Sequence, residues 1–133
     1  MINKIVKYFE GRPEVVAAYL FGSRARGLEK QYSDVDLGVL VENDALSDQN
    51  DLRTDYAIGV ARILRKDLHI VIMNHVGEGI LEQIFRHGKC VFERNPGILS
   101  RFKMVRYSMM ADFGYHRNLM EKAFVSKILG DGQ

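Results

Sequence analysis

Between Val15 and Phe21 the chain reads VVAAYLF, an apolar run with no charge and no turn former, and it closes on Gly22. A strand with one wet face alternates apolar and polar residues, so an unbroken run of strand length is the pattern of a strand covered on both faces. A second segment of this kind, DVDLGVLV over 34–41, is β-branched and apolar after its first residues. Strands of this type need packed layers around them, and the remaining sequence has to supply those layers.

It does so with helical patterns. Ile2, Ile5, Val6 and Phe9 recur at helical spacing up to the punctuation of Gly11 and Pro13. After the polar stretch ENDALSDQND, Ser47 or Asp48 is placed to cap a helix carrying Leu52, Tyr56, Val60 and Leu64. LHIVIM (68–73) reads as a third strand, GEGILEQIFRHGK as a helix of about three turns stopped by Gly88, and CVFE as a short last strand. From about Ile98 to Leu129 the chain reads as helical, with a break near Gly114. The expectation is an α/β (α+β) fold in which helices flank a small mixed sheet of about four strands.

Composition bounds the class. A chain of 133 residues with 47% apolar and 27% charged residues has the size and make-up of one globular domain. Its net charge of +2 is too small for a general nucleic-acid surface, so any anion site is local. Cys90, the only cysteine, sits in the apolar run KCVFE and reads as a buried structural thiol. The N-terminal stretch meets a charge every few residues, unlike a signal peptide, and the cytoplasm is the expected compartment.

One stretch is not explained by packing. Asp34 and Asp36 stand two residues apart at the start of an apolar strand, on the same face, with Cα atoms roughly 6 to 7 Å apart. Two carboxylates closing at the edge of a core repel and lose hydration, and a shared cation relieves both. Magnesium suits oxygen ligands and completes its shell with water and substrate phosphates. Upstream, Gly22 lets a phosphate approach the backbone, Ser23 offers a hydroxyl and an amide, and Arg24 and Arg26 add charge nearby.

These residues, Gly22-Ser23, ten residues, then Asp34-x-Asp36, resemble the signature of the DNA polymerase β-like nucleotidyltransferase superfamily. The longer form LFGSRARG…SDVDLGV resembles its minimal nucleotidyltransferases, and MNHVGEGILEQIFRHGKCVFERNP is similar to the family's helix and strand after the third motif. The resemblance implies a single minimal nucleotidyltransferase domain over 1–133 with a long helical segment from about 98. It also implies that Gly22 and Ser23 hold a nucleoside triphosphate, that Asp34 and Asp36 bind Mg²⁺ or, as the alternative, Mn²⁺, and that a hydroxyl attacks the α-phosphate as pyrophosphate leaves. Positioning, charge neutralisation and a metal-lowered nucleophile pKa are what such chemistry needs.

The chain departs from the family at one place. Where a third aspartate is usual on a neighbouring strand, counting back from Met73-Asn74 gives His69, and the nearest acid is Asp67. Both lie on one strand face. Either Asp67 replaces the missing carboxylate from one pleat earlier, or His69 serves as base or ligand, although nitrogen matches magnesium poorly, or His69 is a hydrogen-bonded histidine at a strand end with no part in the chemistry.

Minimal members of this family act as antitoxins beside a small helical HEPN ribonuclease toxin, which they bind and adenylate at a tyrosine hydroxyl using ATP. The resemblance implies that role here, with a HEPN toxin as partner. Two alternatives stay open: a non-catalytic antitoxin working by occlusion, and a small-molecule nucleotidyltransferase with its acceptor site at a subunit boundary. Along the last segment, Phe102, Val105, Met109 and Phe113 form one helical stripe, and Met104, Tyr107, Met110 and Tyr115 fall largely outside it. That doubled apolar surface suits a helix touching its own core and a partner, or a longer wrap over the sheet. His75 and His116 have no acids at metal-ligand spacing and read as surface or interface residues.

Overall fold

The structure, a computed structural model, describes residues 1–22, 35–43 and 49–109. In chain order it contains α1 (Ile2–Glu10), β1 (Val15–Phe21), β2 (Val35–Val41), α2 (Gln49–Leu64), β3 (Leu68–Ile72), α3 (Glu78–His87) and β4 (Lys89–Glu93). A further helix, α4, occupies 96–109 of the described residues. The strands form an open mixed sheet in the order β3-β2-β1-β4. β1 is antiparallel to both β2 and β4, and β2 is parallel to β3.

The opening apolar run occupies the place its composition demands. β1 lies inside the sheet, and every one of its residues is buried. Register then sorts side chains onto two faces, because residues paired across strands point the same way. Leu20, Leu37 and Ile70 form one such row, and Ala18, Val39 and Ile72 the next. That face packs under α1 and α2 around Ile5, Phe9, Tyr56 and Val60, all fully buried. Each such side chain contributes about 1.5–3 kcal/mol through its removal from water. Tyr8, Phe9 and Tyr56 meet edge to face, with centroids 5.2 to 6.5 Å apart. The helices approach closely at Gly59, where any Cβ would run into the Tyr8 ring.

The opposite face carries the rows Tyr19–Gly38–Val71 and Phe21–Asp36–His69. α3 covers the first row: Ile84 Cδ1 lies 3.0 Å from where a Cβ on Gly38 would stand, and Phe85 meets the Tyr19 ring edge-on at 6.1 Å. Leu81 and Ile84 are the buried residues of α3, and Gly88 ends it. Within the described residues the expected helices and strands are therefore present, with α2 presenting Tyr56 and Val60 to the core and Leu52 and Leu64 packed at its margin; the rest of the helix expected up to Leu129, with its break near Gly114, lies outside them. Ser47 and Asp48, proposed as caps, lie outside the described residues.

One expectation is corrected. Cys90 is exposed, not buried. β4 is an edge strand that pairs with β1 alone and has no buried residue of its own, so the apolar character of KCVFE reflects half-burial at Val91 and Phe92. The Cys90 thiol lies 3.5 Å from the Phe92 carbonyl oxygen.

The chain divides into two compact units, Met1–Leu99 and Ser100–Gln133. Asn95 caps the start of α4, its Oδ1 accepting from the Ile98 N–H at 3.1 Å, with Pro96 in the first helical position, where its missing N–H costs nothing. Within the second unit the Arg106 guanidinium stacks over the Phe102 ring at 5.5 Å, and Met104, Val105, Tyr107 and Met109 are exposed. Met110, Phe113, Tyr115 and His116 lie outside the described residues.

Candidate functional site

Strand directions bring the end of β1 and the starts of β2, β3 and β4 to one end of the sheet. There Phe21 pairs with Asp36, and Asp36 pairs with His69. Neighbouring β2 and β3 are stitched together just before His69, where the Val35 N–H donates to the Asp67 carbonyl oxygen at 3.0 Å.

Gly22 follows β1 with φ +76°, in the left-handed region where an L side chain is strained. Space makes a second demand on the same position. A Cβ there would overlap Asp36 Oδ2 and stand 3.1 Å from Asp36 Cγ. The backbone angle favours glycine here, and any side chain at this position would push the Asp36 carboxylate aside, so the turn and that carboxylate are in close contact.

Asp36 Oδ1 lies 3.4 Å from His69 Nδ1, with the Asp36 side chain 25% exposed and the His69 side chain 75% exposed. A carboxylate–imidazole contact this open contributes about 1 kcal/mol at most, so fold stability does not account for it. Of the residues singled out from sequence, Gly22, Asp36 and His69 are brought together. Asp67 sits at the foot of β3, exposed, two residues before His69. Among the described residues no three His, Cys, Asp or Glu side chains form a metal-holding group, so Asp67 does not complete one with Asp36 and His69. Ser23, Arg24, Arg26 and Asp34 lie outside the described residues.

Sequence reasoning missed the residues that finish the other end of the sheet. Asn74 donates through Nδ2 to the Val41 carbonyl at 2.8 Å, while its Oδ1 accepts from the Val41 N–H at 3.0 Å, so one amide acts as an extra rung beside β2. Arg94 donates from Nε to the Val15 carbonyl at 3.0 Å and from Nη2 to the carbonyls of Phe9, Glu10 and Arg12 at 2.8, 3.1 and 3.3 Å. Its guanidinium also stacks over Phe92 at 5.3 Å. The carbonyls of Phe9, Glu10 and Arg12 belong to the C-terminal turn of α1 and its exit, where a cation satisfies orphaned acceptors. The signal for Asn74 is an asparagine directly after an apolar strand; Arg94 has no local pattern, because its partners lie about 80 residues away.

Residues 3–97 match the family model described as polymerase beta, nucleotidyltransferase. The chain belongs to that family. No curated protein matches it. Similar solved structures include a mutant of the toxin–antitoxin MntA–HpeT, at 27% identity and TM-score 0.72, covering 92% of this chain and 96% of that one. A toxin–antitoxin crystal structure with AMP-PNP is similar at 24% identity and TM-score 0.71, over 93% of this chain and 98% of that one. A third is tri-AMPylated Shewanella oneidensis HEPN toxin in complex with MNT antitoxin, at 22% identity and TM-score 0.62, over 96% and 95% of the two chains. The fold expected of a polymerase β-like nucleotidyltransferase is thus the fold observed. Among the described residues no helix is long and apolar enough to cross a membrane.

Proposed function

We propose that this chain is a nucleotidyltransferase antitoxin of the cytoplasm that transfers AMP from ATP to a tyrosine hydroxyl of a cognate HEPN-type toxin. The observation that carries the reading is the Asp36 carboxylate held against a left-handed Gly22 at the sheet end, in a chain of the polymerase beta nucleotidyltransferase family. The toxin–antitoxin pairs with AMP-PNP and with an AMPylated HEPN toxin, similar to this chain over nearly its whole length, support the choice of acceptor and nucleotide.

In this reading the backbone at Gly22 and Ser23 receives the triphosphate, since the glycine leaves no side chain between the turn and the phosphates. Arg24 and Arg26 draw the phosphate charge toward the turn. Asp34 and Asp36 hold the divalent ion. Asp36 suits that role because it offers hard oxygen donors, a quarter open to solvent, at the mouth of the turn. When bound, such an ion neutralises phosphate charge and lowers the pKa of an attacking hydroxyl. The tyrosine oxygen then bonds to the α-phosphorus, the bond from that phosphorus to the bridging oxygen breaks, pyrophosphate leaves, and the phenol proton passes to water.

A second reading, neutralisation by occlusion without transfer, is favoured by one observation: an imidazole, not a third carboxylate, stands beside Asp36. One experiment separates the two. Labelled ATP with Mg²⁺ or Mn²⁺ is expected to mark the co-expressed partner, and Asp36→Asn to abolish the label. Neutralisation of the toxin by the native chain with no label would establish occlusion instead.

A further inference from the structure

The Asp36–His69 contact carries more than the transfer reading uses. β2 and β3 are parallel here, and their register sets the two residues directly opposite each other on one face. Their facing atoms, Oδ1 and Nδ1, are 3.4 Å apart. Two donors bound to one ion at about 2.1 Å each lie about 3.0 Å apart at a right angle and about 3.4 Å apart at a tetrahedral angle. At 3.4 Å the pair stands at the tetrahedral separation and about 0.4 Å beyond the right-angle one, so a small rotation of the exposed ring brings both atoms onto one ion. Packing does not hold the ring in place, because three-quarters of the His69 side chain is open to solvent, and an exposed pair of this kind adds little to stability. Asp67, the other candidate for the third position, is not gathered with them into a three-donor group.

We propose that His69 Nδ1 is a ligand of the divalent ion held by Asp36, and that this nitrogen makes the site prefer a first-row transition dication such as Mn²⁺ over Mg²⁺. This rests on the reading of Asp36 as a metal ligand given above. Imidazole is a borderline-soft donor suited to transition metals, whereas magnesium selects oxygen and keeps its water. An aspartate at this position would give an all-oxygen set; the histidine trades one hard donor for nitrogen while leaving the carboxylate of Asp36 in place.

The test uses the full chain with Mn²⁺ alone, without nucleotide, read by pulsed electron paramagnetic resonance and by Mg²⁺ competition. The bound Mn²⁺ of the native chain is expected to show nitrogen modulation from a directly coordinated imidazole, and His69→Ala and His69→Asp to lose it. His69→Asp is also expected to lower the Mn²⁺-over-Mg²⁺ preference about tenfold. Because the chain has three other histidines, His75, His87 and His116, modulation that persists in both variants overturns the assignment, as does its absence from the native chain. Asp36→Asn, with Asp36→Glu as a second variant, separates this from the underlying reading. Mn²⁺ affinity that falls in Asp36→Asn while native modulation is absent removes His69 alone. Affinity unchanged in Asp36→Asn removes the metal role of Asp36 and the assignment with it.

Discussion

The two ends of this sheet are finished in opposite ways. At the end where β1 starts and β2 stops, polar side chains are bonded to backbone: Asn74 to Val41, and Arg94 to Val15 and the exit of α1. At the other end, Asp36 and His69 face each other and solvent, and the backbone bond from Val35 to Asp67 joins the two strands. Side-chain-to-backbone bonds at part-buried positions are worth holding because an orphaned buried carbonyl or N–H is costly. A solvent-facing carboxylate and imidazole return little stability. The contrast separates an end whose polar groups are bonded into the fold from an end whose polar groups open toward solvent, and with the proposed function it predicts that substitutions at the two ends will move different measurements.

The largest expected effect is on transfer. Asp36→Asn should lower AMP labelling of the partner by about a hundredfold or more, the scale for removing a charge-stabilising group from a transfer site, while the free energy of unfolding stays within about 0.5 kcal/mol of the native chain. A large stability loss in this variant would break the contrast, because it would make Asp36 part of the scaffold. Gly22→Ala comes next. It forces an alanine to φ +76° and its Cβ into Asp36, so it should cost about 1–2 kcal/mol in denaturant unfolding from the backbone alone and also displace the carboxylate. Labelling and stability should therefore fall together at this position. Full labelling in this variant would show that the close packing of turn and carboxylate is incidental.

At the holding end the pattern should reverse. Arg94→Ala removes hydrogen bonds from one guanidinium to four carbonyls and its stacking on Phe92. A loss of about 1–3 kcal/mol is expected, read by denaturant unfolding, with labelling unchanged per folded molecule. Labelling that falls while stability holds would mean that the two ends are coupled.

Much of this division was legible in the residues, and the parts that were not share a physical cause. The apolar run at β1, the period of α1 and α2, and the glycine stop of α3 are local patterns, so strand, helix and stop could be read in place. The turn glycine and Asp36 were equally readable, since the residue types carry the chemistry and the spacing carries the register. The approach of His69 to Asp36 was legible only through the family resemblance, which put His69 at the third acidic position; residue spacing alone does not carry it, because it depends on β2 and β3 aligning in parallel across the intervening α2. Arg94 was invisible for the same reason: its partners lie at the opposite end of the sequence. Cys90 was misread because KCVFE looks the same on an edge strand as in an interior, and only strand order tells them apart.

The smallest effect sharpens the contrast from the holding side. Tyr56 is fully buried under the sheet, and its hydroxyl donates to Glu14 Oε2 at 2.5 Å, tying α2 to the residue just before β1. Burial first, then the Glu14 hydrogen bond and charge, push its pKa far above the ordinary tyrosine value. The folded chain therefore keeps this proton at a pH where the unfolded chain has lost it. A raised folded pKa contributes stability fully below the unfolded value of about 10, and that contribution declines as pH climbs beyond it. Tyr56→Phe should cost about 1 kcal/mol at neutral pH for the lost hydrogen bond, without changing labelling. Since phenylalanine has no proton to lose, the native chain's advantage over the variant should shrink steadily from about pH 10 upward. Unfolding curves for the two chains that stay parallel through that range would show that the hydroxyl ionises as easily folded as unfolded, and that the bond to Glu14 does not anchor this end of the sheet.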